Sequence, residues 1–474
     1  MLFNSLAFIV FFAVVVFIHY LPLAWRIKKI NLLLSSYLFY AAWNPPFVIL
    51  LWISTVVDWF AAGAMNKETR LGRRRVLLGL SLIANLGMLG YFKYGTLLTN
   101  LFSSLLAQLG VNYTAPALDI TLPVGISFYT FQTLSYTIDV YLKRSKPEKS
   151  FLDFALFVTF FPQLVAGPIV RPYQLIPQFK QPRTATSQQF VWGLILFTWG
   201  LFQKSVLADG ILSRVVGDTF NAMKPIAVLD AWLGVFAFSG QIFFDFAGYS
   251  LCAIGIALCL GFSIPNNFNS PYAAIGFSDF WNRWHISLSG WLRDYLYIPL
   301  GGNRKGARRT YINLSITMLL GGLWHGADWR FLIWGGVHGL YLIIERLLKK
   351  WFDTEKLSAN PPLAILGALT TFICVSLTWV FFAANDWSKC LQMFQSLIGM
   401  AGEDPLMVIS SFHIFMTILI TVVMFICHWM MRGTEIEDLA NKTPTWLLTL
   451  FWTTILFITI MTGGSASAFI YFQF

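Results

Sequence analysis

The stretch LFNSLAFIVFFAVVVFIHYLPL, Leu2–Leu23, carries no Asp, Glu, Lys or Arg. An α-helix needs about 20 such residues to cross the hydrocarbon core of a bilayer. Inside that core every backbone N–H and C=O must find a partner within the protein, so one isolated segment can only be a helix. Comparable windows recur at Val76–Phe92, Leu363–Phe382, Phe412–Trp429 and Trp446–Met461. The 474-residue chain is 57% hydrophobic and 12% charged, about half the charged fraction of a soluble domain. The sequence therefore predicts an all-α, polytopic membrane protein. A single membrane domain over residues 1–474 is expected, with roughly ten to thirteen embedded helices, some re-entrant. The first run lacks a basic n-region and an A-x-A-like cleavage site, so it reads as the first span and not as a cleaved signal.

The net charge of +11 is clustered at Arg26–Lys29, Lys67–Arg75, Lys143–Lys149, Arg304–Arg309 and Arg346–Lys356. The positive-inside rule accounts for these clusters and puts the N-terminus outside; nucleic-acid binding is not expected. The aromatic residues between them fit membrane-interface belts. None of the five cysteines forms a C-x-x-C or a cysteine–histidine spacing suited to zinc, so neither a disulfide nor a metal site is predicted. Cys252 and Cys259 share a helix face and read as packing residues.

Pro and Gly punctuate the chain at Asn44–Pro46, Leu122–Gly125, Gly167-Pro168, Ile264-Pro265 and Gly301-Gly302. The segment FSDFWNRWHISLSGWLRDYLYIP, Phe277–Pro299, is too charged for a lipid-facing span. Trp281, His285, Leu288, Leu292 and Tyr295 fall on one stripe of a single amphipathic helix, interfacial or re-entrant. That turns His285 inward. Asp279 and Arg283 are spaced for an i,i+4 pair.

Of six histidines, His19, His413 and His428 sit near the edges of apolar runs and read as interface residues. His325 lies in GGLWHGADW, Gly321–Trp329, at the end of an apolar run. An ionisable group at membrane depth is a functional candidate by default, yet a core histidine satisfied by backbone or by Asp328 fits equally. Gly321, Gly322 and Gly326 either let helices approach or leave room for a substrate. A neutral, desolvated imidazole can take the proton of a hydroxyl, and His285 offers a second one. His338, in WGGVHG, reads first as core packing.

Other signals are weaker. No nucleophile elbow, P-loop or H-E-x-x-H occurs. Arg304 and Lys305, in GGNRKG, could hold a phosphate, although a charged cytoplasmic loop explains them as well. Asp58, Asp139 and Asp245 lie in apolar segments and are expected to make helix-to-helix polar contacts. The tail runs from a small linker, Gly463–Ala468, into FIYFQF, Phe469–Phe474. It could dock back into the protein or serve as an aromatic anchor. A transporter with proton-relaying histidines is the reading of another class, but no paired broken helices occur in two related halves.

FWNRWHISLSGWLRDYLYIPLGGNRKG (Phe280–Gly306) and GGLWHGADWRFLIWGGVHG (Gly321–Gly339) resemble the membrane-bound O-acyltransferase family, in its alginate O-acetylation branch. SFYTFQTLSYTIDVYLKR (Ser127–Arg144) and FFPQLVAGPIVRP (Phe160–Pro172) are similar to further landmarks of that branch. The resemblance implies a helical fold with a central tunnel or funnel and a histidine-containing core at residues 277–345. His325 would be the catalytic histidine and His285 its companion. Trp281, Asn282, Trp324, Asp328 and His338 around them become candidate substrate contacts, with Arg304 and Lys305. It further implies an acyltransferase of a bacterial cytoplasmic (inner) membrane. Acetyl-CoA would be the donor, without a metal. A periplasmic SGNH-type partner would pass the acetyl group to a polysaccharide or to peptidoglycan. D-alanyl transfer from a carrier protein to a cell-wall polymer is the near alternative. The tail, residues 463–474, resembles an acyl-accepting peptide, with Tyr471 as the acceptor.

Overall fold

The computed structural model describes all residues except 114–119, 166, 351–358, 401, 403, 435, 463–468 and 471–474. These residues form helices and turns, with one isolated parallel bridge, Ile226 to Leu406. The first half of the chain contributes α1 (Leu6–Tyr20), α2 (Trp25–Ala41), α3 (Val48–Lys67), α4 (Leu71–Gln108) and α5 (Ile126–Tyr141). Shorter helices α6 (Phe151–Thr159), α7 (Phe161–Leu164) and α8 (Pro172–Phe179) follow. Next come α9 (Ser187–Phe202), a π-helical stretch Gln203–Leu212, α10 (Ser213–Phe220) and α11 (Val228–Cys259). The histidine region holds α12 (Phe277–Arg283), α13 (Ile286–Leu292), α14 (Gly306–His325) and α15 (Trp329–Leu348). Helices Pro361–Thr378, Ser411–Met430 and Thr445–Met461 complete the bundle. Among the described residues seven helical segments are long and apolar enough to cross a membrane, as expected of a multi-pass protein.

Helices buried on every side mark the centre of such a bundle. In α5 almost every residue is buried, and α11 is buried along most of its length. Small residues let neighbours come this close. Gly193 and Gly200 of α9 lie against Gly255 and Gly248 of α11, where a Cβ on Gly200 would sit 2.4 Å from the Gly248 carbonyl oxygen. Cys252 and Cys259 fill the same seam, the packing role expected of them. The α14–α15 pair is built alike. A Cβ on Gly322 would meet the Phe331 carbonyl oxygen at 2.2 Å, and one on Gly326 would meet the Phe331 ring at 2.1 Å. Gly322 and Gly326 thus serve close helix approach. Gly322→Ala is expected to lower stability by about 1–3 kcal/mol, read as an earlier thermal midpoint of the detergent-solubilised protein. An unchanged midpoint would contradict this packing.

The expected single helix over Phe277–Pro299 is broken. Trp284 is extended, and His285 takes φ 44°, ψ 54°, a left-handed conformation that non-glycine residues avoid. The stripe therefore divides. Leu288 and Leu292 of α13 are buried, while Trp281 of α12 faces another neighbourhood. The turn holds because Asn267 pins it, as described below. Asp279 and Arg283 do pair, at 2.8 Å.

Asp58 and Asp245 make the helix-to-helix contacts expected of them, whereas Asp139 pairs locally with a residue just past the end of its own helix. Asp58 of α3 accepts bonds from Ser81 and Asn85 of α4. Asp139 meets Arg144 at 3.6 Å. Two histidines expected at the membrane edge are instead buried. His19 Nε2 lies 3.0 Å from the Leu260 carbonyl oxygen, and His428 Nδ1 accepts the Tyr272 N–H at 3.3 Å. Each helix end packs against a loop whose backbone groups need partners.

The basic clusters fall at the N-terminal ends of α2, α4 and α14 and at the C-terminal ends of α3, α5 and α15. Arg74 of α4 on the Tyr141 carbonyl at the end of α5, and Lys29 of α2 on Asp153 of α6, gather these ends on one basic face. The far face carries the turn after α2, residues 122–125 before α5, and the α14–α15 turn.

Candidate active site

His325 is the last residue of α14, at the end remote from the basic face. The final carbonyls of a helix have no partner inside it, and here α4 supplies them. Tyr94 Oη donates to the Leu323 carbonyl at 2.6 Å. Lys93 Nζ donates to the carbonyls of Trp324 and His325, at 2.7 and 2.9 Å. A cation at a helix C-terminus is also favoured by the macrodipole. The imidazole of His325 is buried among aromatic rings, with centroids 5.0 Å from Trp324, 5.1 Å from Trp334 and 5.2 Å from Phe382.

His285 is fully buried at the left-handed turn between α12 and α13. Asn267 fixes both its place and its proton. The Asn267 backbone carbonyl accepts the Ile286 N–H at 2.9 Å. Its side-chain oxygen accepts the Ser287 N–H at 3.3 Å and the Ser287 hydroxyl at 2.9 Å. A backbone N–H can only donate, so the amide presents oxygen to this turn. His285 Nδ1, 3.1 Å from the same oxygen, must then carry the proton. Nε2 is left with its lone pair and has no hydrogen-bond partner among the described residues. A second-partner bond of this kind selects a histidine tautomer.

The two histidines meet on one indole. Trp324 lies 5.8 Å from the His285 ring and 5.0 Å from the His325 ring. Phe128 of α5 packs on Trp324 at 5.4 Å, and Phe246 of α11 packs on His285 at 4.6 Å. Beside them is a small cleft of about 50 Å³. Trp43, Lys93, Leu122–Phe128, Trp324 and His325 line it, and most of these belong to the far face.

The other expected contacts scatter. His338 is one indole away, with Trp334 at 4.6 Å, and its Nε2 is 3.0 Å from the Thr378 hydroxyl. That hydroxyl donates to Val375 O, so His338 Nε2 donates to it. Trp281 stacks edgewise on His338 at 5.2 Å, away from the cleft. Asn282 is exposed. Asp328 caps α15 and is paired to Arg330 through 3.0 and 2.9 Å bonds, which explains why it does not serve His325. Arg304 and Lys305 are exposed at the start of α14, roughly 30 Å along the helix from His325. Among the described residues no group of three His, Cys, Asp or Glu is placed to hold a metal ion. Lys93 and Asn267 escaped the sequence reading. A lysine amid YFKYG was the available signal for the first.

Tyr471 lies outside the described residues. Its neighbours Phe469 and Ile470 are buried. Phe469 packs against Phe246 at 5.3 Å and Tyr249 at 5.2 Å. The Ile470 N–H donates to Asp245 Oδ2 at 2.9 Å. Asp245 in turn is salt-bridged to Lys204, which also binds Asp209 at 2.9 Å. Phe469 and Ile470 therefore dock in the core, with the Phe246 ring between Phe469 and His285.

Residues 144–383 match the sequence model of the membrane-bound O-acyltransferase family. The chain is 40% identical over 402 residues to a Pseudomonas aeruginosa protein named probable alginate O-acetylase AlgI, covering 84% of this chain and 75% of that one. It is 38% identical over 433 residues to a Helicobacter pylori protein named peptidoglycan O-acetyltransferase, covering 85% and 80%. A teichoic acid D-alanyltransferase of Bacillus subtilis is 28% identical over 281 residues, covering 56% and 69%.

Proposed function

The chain belongs to the membrane-bound O-acyltransferase family and is an O-acyltransferase, and on that premise we propose that it moves an acetyl group from cytoplasmic acetyl-CoA to an extracytoplasmic hydroxyl. The alginate and peptidoglycan names of its relatives favour acetyl over D-alanyl as the group carried. The observation that carries the reading is the pairing of His285 and His325 on the Trp324 indole, beside a cleft lined from the far face. A hydroxyl entering from outside reaches the imidazole there. The thioester must come from the basic face, where Arg304 and Lys305 are our candidates for the coenzyme's phosphates.

His325 takes the proton of the attacking hydroxyl as general base. His285, its Nδ1–H tied to Asn267, turns its Nε2 lone pair inward and shares or positions that proton. Trp324 holds the two rings in register. The first acceptor is Tyr471, brought in by the docked Phe469–Ile470 segment, and its phenyl ester is a good acyl donor for the next step. A periplasmic SGNH-type partner then carries the acetyl group to a polysaccharide or to peptidoglycan. In this reading the protein works in a bacterial inner membrane, with residues 277–345 as its catalytic core.

The test is intact-protein mass spectrometry after incubating the purified full chain with labelled acetyl-CoA, followed by peptide mapping. Label on Tyr471 is expected. Label on another residue would remove the tail from the relay. Label from a D-alanyl carrier protein, and none from acetyl-CoA, would replace the donor.

A further inference from the structure

We propose that Lys93 is a catalytic residue that stabilises the oxyanion formed when a hydroxyl attacks the acyl carbonyl beside His325. This rests on the acyl-transfer reading above. Lys93 projects from the second half of α4, and it is half-buried. A cation partly withdrawn from water is costly unless a partner neutralises it. Among the described residues no carboxylate pairs with it. Its partners are the carbonyls of Trp324 and His325 and, at 5.8 Å, the Trp324 ring. An ammonium has three N–H donors, and two are directed at these carbonyls. The third is available to the cleft that Lys93 lines together with His325.

This placement ties base and electrophile together. The bond to the His325 carbonyl fixes the backbone that bears the imidazole, so the positive charge sits at a constant remove from the base. Preorganised charge aimed at the developing oxyanion is the largest single term in many acyl transfers. In the step, the acceptor hydroxyl gives its proton to His325 as its oxygen bonds to the thioester carbonyl carbon. The carbonyl π electrons move onto oxygen, where the Lys93 N–H donates to them. Collapse restores the C=O and breaks the C–S bond. The thiolate then takes the proton from the His325 imidazolium, leaving an ester, a free thiol, neutral imidazole and an unchanged Lys93.

The experiment follows thiol release from labelled acetyl-CoA by the full-length protein in lipid nanodiscs. Lys93→Met is expected to lower kcat about 10²–10³-fold with KM for acetyl-CoA nearly unchanged. Ethylammonium is expected to restore kcat of Lys93→Ala saturably, a response that a mere helix cap would not give. If Lys93→Met fails to fold, Lys93→Gln keeps an N–H for the α14 carbonyls without the charge and is expected to be folded and slow. A folded Lys93→Met or Lys93→Gln with wild-type kcat overturns the proposal and leaves the acyl-transfer reading standing. So does loss of activity in Lys93→Ala that no amine restores. Wild-type protein that releases no more thiol than His325→Ala overturns that reading and this proposal with it.

Discussion

His325→Ala is expected to lower acyl transfer by about 10²–10⁴-fold, the range for losing a positioned general base, while the protein stays folded. The structure argues for both halves of this outcome. The bonds that fix the end of α14 go to the carbonyls of Leu323, Trp324 and His325, which alanine retains. What is lost is one ring from an aromatic cluster that still contains Trp324, Trp334 and Phe382. His325→Gln fills more of that space without a comparable base and should be as inactive as alanine. His285→Ala should cost less alone. Combined with His325→Ala it should add little, because residues acting as one unit are not additive. Initial rates beside a thermal midpoint for each variant decide the matter. A folded His325→Gln with wild-type rate would remove His325 from the chemistry.

The bundle was legible because its cause is local: apolar runs of bilayer length and basic clusters at their ends need no tertiary knowledge. His325 was legible for the same reason, an ionisable side chain where lipid-facing sequence offers none. What escaped notice depends on distant partners. The break at His285 is imposed by Asn267, whose bonds to Ser287 and to the ring exist only once the chain has folded. Helical periodicity alone therefore continued the stripe through it. Lys93 drew no reading from the sequence. Its meaning lies in carbonyls 231 and 232 positions away. Asp328, three residues beyond His325 in sequence, was the natural candidate partner, yet a helix cap and Arg330 claim it.

The second large effect is expected at Lys204. Lys204 and Asp209 are five residues apart, a spacing that a regular α-helix turns to different faces. The π-helical stretch Gln203–Leu212 brings them together, as such insertions often do at functional sites. Asp245 of α11 completes a cluster whose side chains are 4%, 7% and 2% exposed. Removing the cation leaves two buried carboxylates facing each other. Breaking a buried ion pair from one side costs about 3–5 kcal/mol, so Lys204→Met should unfold far more easily in a denaturant titration. Asp245→Asn should be milder, since Asp209 still neutralises Lys204 and the amide oxygen can still accept the Ile470 N–H. Asp245→Leu removes that acceptor and should expose Phe469–Ile470 to limited proteolysis while α11 stays intact. Because Phe469 packs on Phe246, and Phe246 on His285, acyl transfer should fall in step with release of the segment. A Lys204→Met protein as stable as wild type would show that the cluster does not hold the core. An Asp245→Leu protein with a released segment and full activity would uncouple the docked tail from the histidines.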